Sequence, residues 1–163
     1  DDMVNCTLNE RWNLKSSLGR RYAGVSGDYN PIHMSDVSAK LFGFKQAIIH
    51  GMWTKARAMA ALMPTSVPDN DTSGPIADVY VEFKTPLFLP ATVDLLATKA
   101  NTLTIGNDMA EVLFEVKGST DEQLPHLRGK CRWVVEGNHG GIGLDQVVHI
   151  VADAADIITS TFE

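Results

Sequence analysis

The chain has little of what marks several protein classes. Its 163 residues include two cysteines, Cys6 and Cys131. Two are too few for a disulfide framework, and their spacing is not that of metal ligands. Cys131 falls in the alternating run 130–136 and reads as a small core residue. No apolar run approaches the ~20 residues that cross a bilayer, and the mean hydropathy is near zero. A soluble chain without membrane insertion is therefore expected. Arg20-Arg21 is the longest basic block, and the formal net charge is -6. Phosphate contacts need a clustered basic face, so nucleic acid is not expected as a partner. Internal repeats and low-complexity tracts are absent. Residues 1–6 lack a basic region followed by an apolar stretch, so no signal peptide is expected and the cytoplasm is the expected location. The chain does not begin with Met. It has either been trimmed or is a piece of something longer, and the sequence fits both.

What is present is enough apolar content, 44%, for one domain with a real core. Residues 11–14 read as a short strand. Residues 16–25 read as a helix, with Leu18, Arg21, Tyr22 and Val25 at three-to-four spacing, broken by Gly27. Residues 35–42 read as one or two helical turns capped by Ser35, with Val37, Leu41 and Phe42 as the apolar side. Residues 50–63 predict a helix of about four turns. It is apolar nearly all round, as expected of a helix surrounded by protein, and Pro64 ends it. A loop over 64–75 follows. Four strand-like runs come next: 77–84, 92–100, 109–117 and 128–136. The first puts Ala77, Val79, Val81 and Phe83 on one face. The third puts Val112, Phe114 and Val116 opposite Glu111, Leu113 and Glu115. Period-two alternation means half-buried strands. One buried helix followed by consecutive strands predicts an antiparallel sheet wrapped around that helix, an α+β fold. Residues 137–143 read as a Gly-rich linker and 144–158 as an amphipathic helix that docks on the sheet or on a partner subunit.

The chemistry concentrates in residues 22–63, around Ser26-Gly27-Asp28-Tyr29-Asn30-Pro31-Ile32-His33. Pro31 bends the backbone and brings a carboxylate and an imidazole together. Burial and mutual interaction can move the pKa values of such a pair apart. Asn30 between them can hold a water or substrate oxygen without titrating, and Ser26 can orient a neighbour. Gly51 opens the long helix, where the first backbone N–H groups have no helical acceptor and negative charge is favoured. A glycine there admits a ligand oxygen close to the backbone, as an oxyanion site requires. An acid/base pair beside an oxyanion donor suits a reaction through an enolate-like state. The blander readings have weight. Asp28 alone is a turn residue, His33 alone a structural histidine, and His50 a cap near the helix start. A metal held by Asp28, Asn30, His33 and Asp36 ranks low, because no second His or Cys sits at ligand spacing.

Taken together, Tyr22, Ala23, Ser26, Gly27, Asp28, Asn30, Pro31, Ile32, His33, Ala39, Phe44, Ile48, His50, Gly51 and Met52 form an ordered motif. It resembles that of the MaoC-like dehydratases, a family that includes the (R)-specific enoyl-CoA hydratases. Residues 81–90 resemble the family's Phe-x-x-Pro element, and the resemblance covers roughly 20–136. Leu89-Pro90-Ala91 departs from it where many members have a glycine. The resemblance implies a hot-dog fold, with domain limits of 1–136 and a tail of 137–163. It implies that Asp28 and His33 share one water, that Asn30 helps to fix it, and that the Gly51 N–H holds the thioester oxygen. Ser26, Tyr29, Met52 and Trp53 would contact substrate. Water would add to a trans-2-enoyl thioester to give the (R)-3-hydroxyacyl product, without a metal or redox cofactor. Coenzyme A or acyl carrier protein would carry the acyl group. Lys45, Lys55, Arg57 and Lys84 would meet coenzyme A phosphates or stand as solvated charges. A non-catalytic acyl-binding or assembly subunit, or a thioesterase, are the alternatives. A homodimer, or pairing with a second hot-dog unit, is expected because a single sheet leaves edges to cover.

Overall fold

The computed structural model describes residues 7–62, 73–98, 101–105, 107–119 and 124–135. The expected linker at 137–143 and helix at 144–158 lie outside the described residues, as does most of the loop at 64–75.

Strand β1 (Thr7–Leu14) is followed by helix α1 (Leu18–Ser26), a single 3-10 turn (Pro31–His33), α2 (Asp36–Leu41) and α3 (Gly51–Leu62). Strands β2 (Ser73–Phe83), β3 (Ala91–Ala97), β4 (Asn101–Ile105), β5 (Asn107–Gly118) and β6 (Leu127–Val135) complete the described chain. The sheet runs β1-β3-β5-β6-β2, with β4 paired to β5 off that path, and every pairing is antiparallel. This is the expected helix-on-sheet arrangement of a hot-dog fold.

One core lies between α3 and the inner sheet face. Val93, Leu95 and Ala97 of β3, Val112, Phe114 and Val116 of β5, and Leu127 and Cys131 of β6 meet Trp53 and Ala58 of α3. Each fully buried Val, Leu or Phe side chain among these is worth about 1.5–3 kcal/mol of transfer free energy. Trp12 of β1 meets Trp53 edge-on, with ring centroids 6.0 Å apart. The opposite face of the sheet carries ion pairs across strands: Arg132 reaches Glu111 at 2.7 Å and Asp78 at 3.6 Å. Glu115 alternates with Phe114 and Val116, yet it too is buried, covered by Lys117 and Arg128, which pair with it.

The sequence reading departs from the structure in four places. Residues 73–75 belong to β2 rather than to a loop. Strand β4 has no counterpart among the strands expected from sequence. Helix α3 is not enclosed on all sides: Trp53, Thr54 and Ala58 are buried, while Met52 is more than half exposed. The apolar side assigned to α2 faces out, with Val37, Leu41 and Phe42 all exposed, and only Ala39 of that helix is buried. Local polar bonds orient α2 instead. Asp36 Oδ1 accepts the Ala47 N–H at 2.9 Å, and Ser38 Oγ donates to the Pro31 carbonyl at 2.7 Å.

Ser35 caps α2 as expected, its Oγ accepting the Ser38 N–H at 3.1 Å. Ser35→Ala removes that acceptor. It should cost about 1 kcal/mol, read as a lower urea midpoint with an unchanged denaturant slope.

Candidate active site

The bent loop is built by local bonds. Gly27 ends α1 with φ 74°, a left-handed conformation that glycine adopts without strain, and its N–H donates to Ala23 O. The Asp28 N–H donates to Ser26 Oγ at 3.3 Å, and Asp28 Oδ1 accepts the Asn30 N–H at 3.1 Å. Asn30 Oδ1 accepts the Ile32 N–H at 3.3 Å and caps the 3-10 turn. Successive side-chain caps therefore hold the motif, which presents His33 inward and leaves Asp28 on the surface.

His33 is 8% exposed, and its Nδ1 lies 2.8 Å from the Ile48 carbonyl oxygen. A carbonyl only accepts, so Nδ1 donates, and in the neutral ring the lone pair is on Nε2. His50 stands directly on this ring: centroids are 3.7 Å apart and the planes 26° from parallel. Its Nε2 lies 2.9 Å from the Asp28 backbone oxygen and 3.8 Å from Asp28 Oδ2. Ligand atoms of Asp28, His33 and His50 all fall within 4.8 Å of one another. Asp36, weighed from sequence as a metal ligand, is not in that group, and its Oδ1 accepts the Ala47 N–H, while Asn30 Oδ1 accepts the Ile32 N–H. Of the ligands weighed from sequence, Asp28 and His33 lie together, joined by His50.

Helix α3 begins at Gly51. The Trp53 and Thr54 N–H groups donate to the His50 carbonyl, which leaves the Gly51 and Met52 N–H groups ahead of the first helical acceptor. Both residues, with His33 and Thr54, line a cleft of about 480 Å³. Its walls are largely apolar, including Phe44, Ile48, Phe83 and Leu87. A Cβ on Gly51 would meet the Phe83 ring at 2.7 Å, so the glycine lets this aromatic lie against the helix start.

The other expected site residues are placed unevenly. Met52 lines the cleft. Trp53 does not; it is buried against Trp12. Tyr29 is 60% exposed and, like Asn30, belongs to the loop beside the cleft rather than to its lining; Ser26 ends α1 and is not in the lining either. Asp28, with its side chain 54% exposed, stands at that loop too. Among the cations considered, Lys84 lines the cleft and pairs with Glu82. Lys45 stacks over the Phe88 ring at 4.5 Å, and Arg57 pairs with Glu10 over Trp12.

Two further histidines matter. His50 was read from sequence as a cap. His126, which lines the cleft with its Nδ1 3.0 Å from Thr85 Oγ1, was not singled out at all. Burial lowers both pKa values, partly offset in His50 by the hydrogen bond to Asp28 and in His126 by bonds to the backbone of Thr85 and Pro86. A histidine that resists protonation only when folded makes the unfolded chain bind more protons at acid pH. Stability should be complete above the ordinary histidine value of about 6.5 and fall as pH drops through the lowered values. Urea midpoints at pH about 8 and about 5.5 measure this. His126→Gln should shrink the difference between them, and an equal difference in wild type and variant would remove His126 from the account.

Residues 8–120 match the MaoC-like domain. This chain belongs to that family. A curated relative, 3-hydroxyacyl-thioester dehydratase X of Mycobacterium tuberculosis, is 43% identical over 82 residues, which are 50% of this chain and 27% of the relative. The crystal structure of HtdX from the same organism aligns at 31% identity with a TM-score of 0.57, covering 77% of this chain and 46% of that one. An (R)-hydratase from A. caviae involved in PHA biosynthesis has the same fold, with a TM-score of 0.63 at 16% identity over 80% of this chain and 97% of its own. The chain thus spans about a quarter of the curated relative and under half of HtdX. The motif loop, α1–α3 and strands β2–β4 of the MaoC-like domain lie wholly within the matched residues. Among the described residues, no helix is long and apolar enough to cross a membrane.

Proposed function

We propose that this MaoC-like domain hydrates trans-2-enoyl thioesters to (R)-3-hydroxyacyl thioesters, and catalyses the reverse dehydration. The observation that carries the reading is the grouping of Asp28 and His33 beside the first N–H groups of α3, which among the described residues have no acceptor, at an apolar cleft. In the forward direction water oxygen bonds to C3 of the enoyl chain. Between them, His33 Nε2 and the Asp28 carboxylate take a proton from water and pass one to C2. The charge that develops on the thioester oxygen is met by the Gly51 N–H, assisted by the helix dipole. Asn30 has its oxygen engaged in the cap and its NH₂ left to fix the water. The apolar walls take the acyl chain, and Lys84 at the cleft meets an anionic group of the carrier, coenzyme A or acyl carrier protein. Such carriers are met in the cytoplasm.

A second hot-dog unit, either another copy or a further segment, would complete the site. Met52 and Phe83 line the cleft, Asp28 stands on the loop beside it, and each is more than half exposed in a single unit. Loss of the conjugated enoyl absorbance of crotonyl-CoA, with no free thiol released, is the expected assay result. Thiol release from a saturated acyl-CoA would replace this reading with a thioesterase. The acid/base pair supplies the proton transfers by itself, so the reaction should need no metal. Prolonged dialysis against a chelator should leave the rate unchanged to within about twofold, and a larger loss restored by a divalent cation would overturn that part of the mechanism.

A further inference from the structure

We infer that His50 is a positioning residue for this reaction, holding the Asp28 backbone by a donated hydrogen bond and the His33 ring by stacking. The inference rests on the hydratase reading.

The Asp28 carbonyl can only accept, so the 2.9 Å contact fixes the proton on His50 Nε2 and leaves Nδ1 bare. Among the described residues, that buried Nδ1 has no hydrogen-bond partner. A buried acceptor left unpaired costs about 1–3 kcal/mol, which an apolar side chain filling the same space would not incur. Retaining an imidazole here is reasonable where its one hydrogen bond has a use. The bond's partner is the peptide of Asp28, and the ring's face lies on His33 at 3.7 Å. One side chain, rooted at the residue before α3, therefore touches both members of the acid/base pair. His50 is itself held, being 3% exposed with Tyr22 of α1 against it edge-on at 4.9 Å.

Its charge state matters for the same reason. The groups that face it are Asp28, His33 and Tyr22. A protonated ring stacked on His33 would oppose the proton that His33 must accept from water. Burial lowers the His50 pKa and so favours the neutral ring, against the raising effect of its bond to Asp28. The loop can thus be tied to the helix start without a cation beside the base.

The test compares His50→Phe with His50→Gln in the full chain. Phenylalanine keeps a flat ring on His33 and donates nothing. Glutamine carries an N–H at the reach of Nε2. His50→Phe should lower kcat by about a hundredfold while KM stays within about threefold, because misplacing reacting groups by an ångström costs about that much. His50→Gln should recover kcat to within about fivefold of wild type. Nitrogen-15 spectra of wild-type protein at pH about 7.5 should show the proton on Nε2 and none on Nδ1 of His50. Wild-type kcat in His50→Phe, no recovery in His50→Gln, or a proton on Nδ1 would each overturn the inference. Should His50→Phe not fold, the glutamine variant against wild type and the tautomer decide. Wild-type protein inert toward enoyl thioesters would sink the hydratase reading, and the tautomer would still report on the arrangement.

Discussion

Asp28→Asn should lower crotonyl-CoA hydration by about 10²–10⁴-fold, the range expected when a positioned proton carrier is lost. The substitution isolates chemistry from folding. Asp28 Oδ1 accepts the Asn30 N–H, and an asparagine oxygen can accept the same bond. With the side chain 54% exposed, no buried charge is removed. The matching change at the second residue is His33→Asn. Its amide N–H can reach the Ile48 carbonyl, as His33 Nδ1 does at 2.8 Å, while the free Nε2 disappears. It too should cost about 10²–10⁴-fold. Groups that act on one water act as a unit, so the double variant should be little worse than either single one. Circular dichroism and thermal melts close to wild type would show that the loop survives. Wild-type rates in both single variants would sink the assignment of acid/base work to this pair.

The elements that sequence made legible are those whose signal is local. The order of residues 22–52, the helix start at Gly51, the Ser35 cap and the alternation of Val112, Phe114 and Val116 all depend on neighbours within a few positions, and each reappears in the structure. Strand β4 was hidden because its five residues, Asn101–Ile105, contain three polar side chains between two stronger apolar runs. The apolar residues of α2 were assigned to the core by spacing alone. A six-residue helix is too short for spacing to outweigh the bonds made by Asp36 and Ser38, which turn Val37 and Leu41 outward. Phe83 alternates correctly with Val79 and Val81, yet it ends its strand and is 53% exposed beside Gly51. The role of His50 is hidden for a different reason. Its partners are Asp28, 22 positions away, and the ring of His33, and no spacing rule for one histidine reaches either.

Gly19→Ala should damage both stability and activity, although it lies fourteen residues before His33 and touches no substrate. Gly19 sits in the first turn of α1 and is buried against the 3-10 turn. A Cβ built on it would come within 2.3 Å of the His33 carbonyl oxygen. Ordinary carbon contacts begin near 3.5 Å, so helix and turn would have to part by about an ångström. The obstacle is backbone and cannot swing aside as a side-chain tip can. Overpacking of this kind costs about 1–3 kcal/mol, or a melting point lower by a few degrees in a chain of this size. Displacement of the base by about an ångström should cost about a hundredfold in kcat as well. Gly24 supplies the control within the same helix. It is exposed, and an added Cβ there meets nothing within 4 Å. Gly24→Ala should leave kcat alone and raise stability by up to about 1 kcal/mol through helix propensity. Opposite outcomes for two glycine-to-alanine changes five residues apart would tie the loss at Gly19 to its contact with the His33 backbone. Equal behaviour of the two variants would mean that α1 does not set the position of His33.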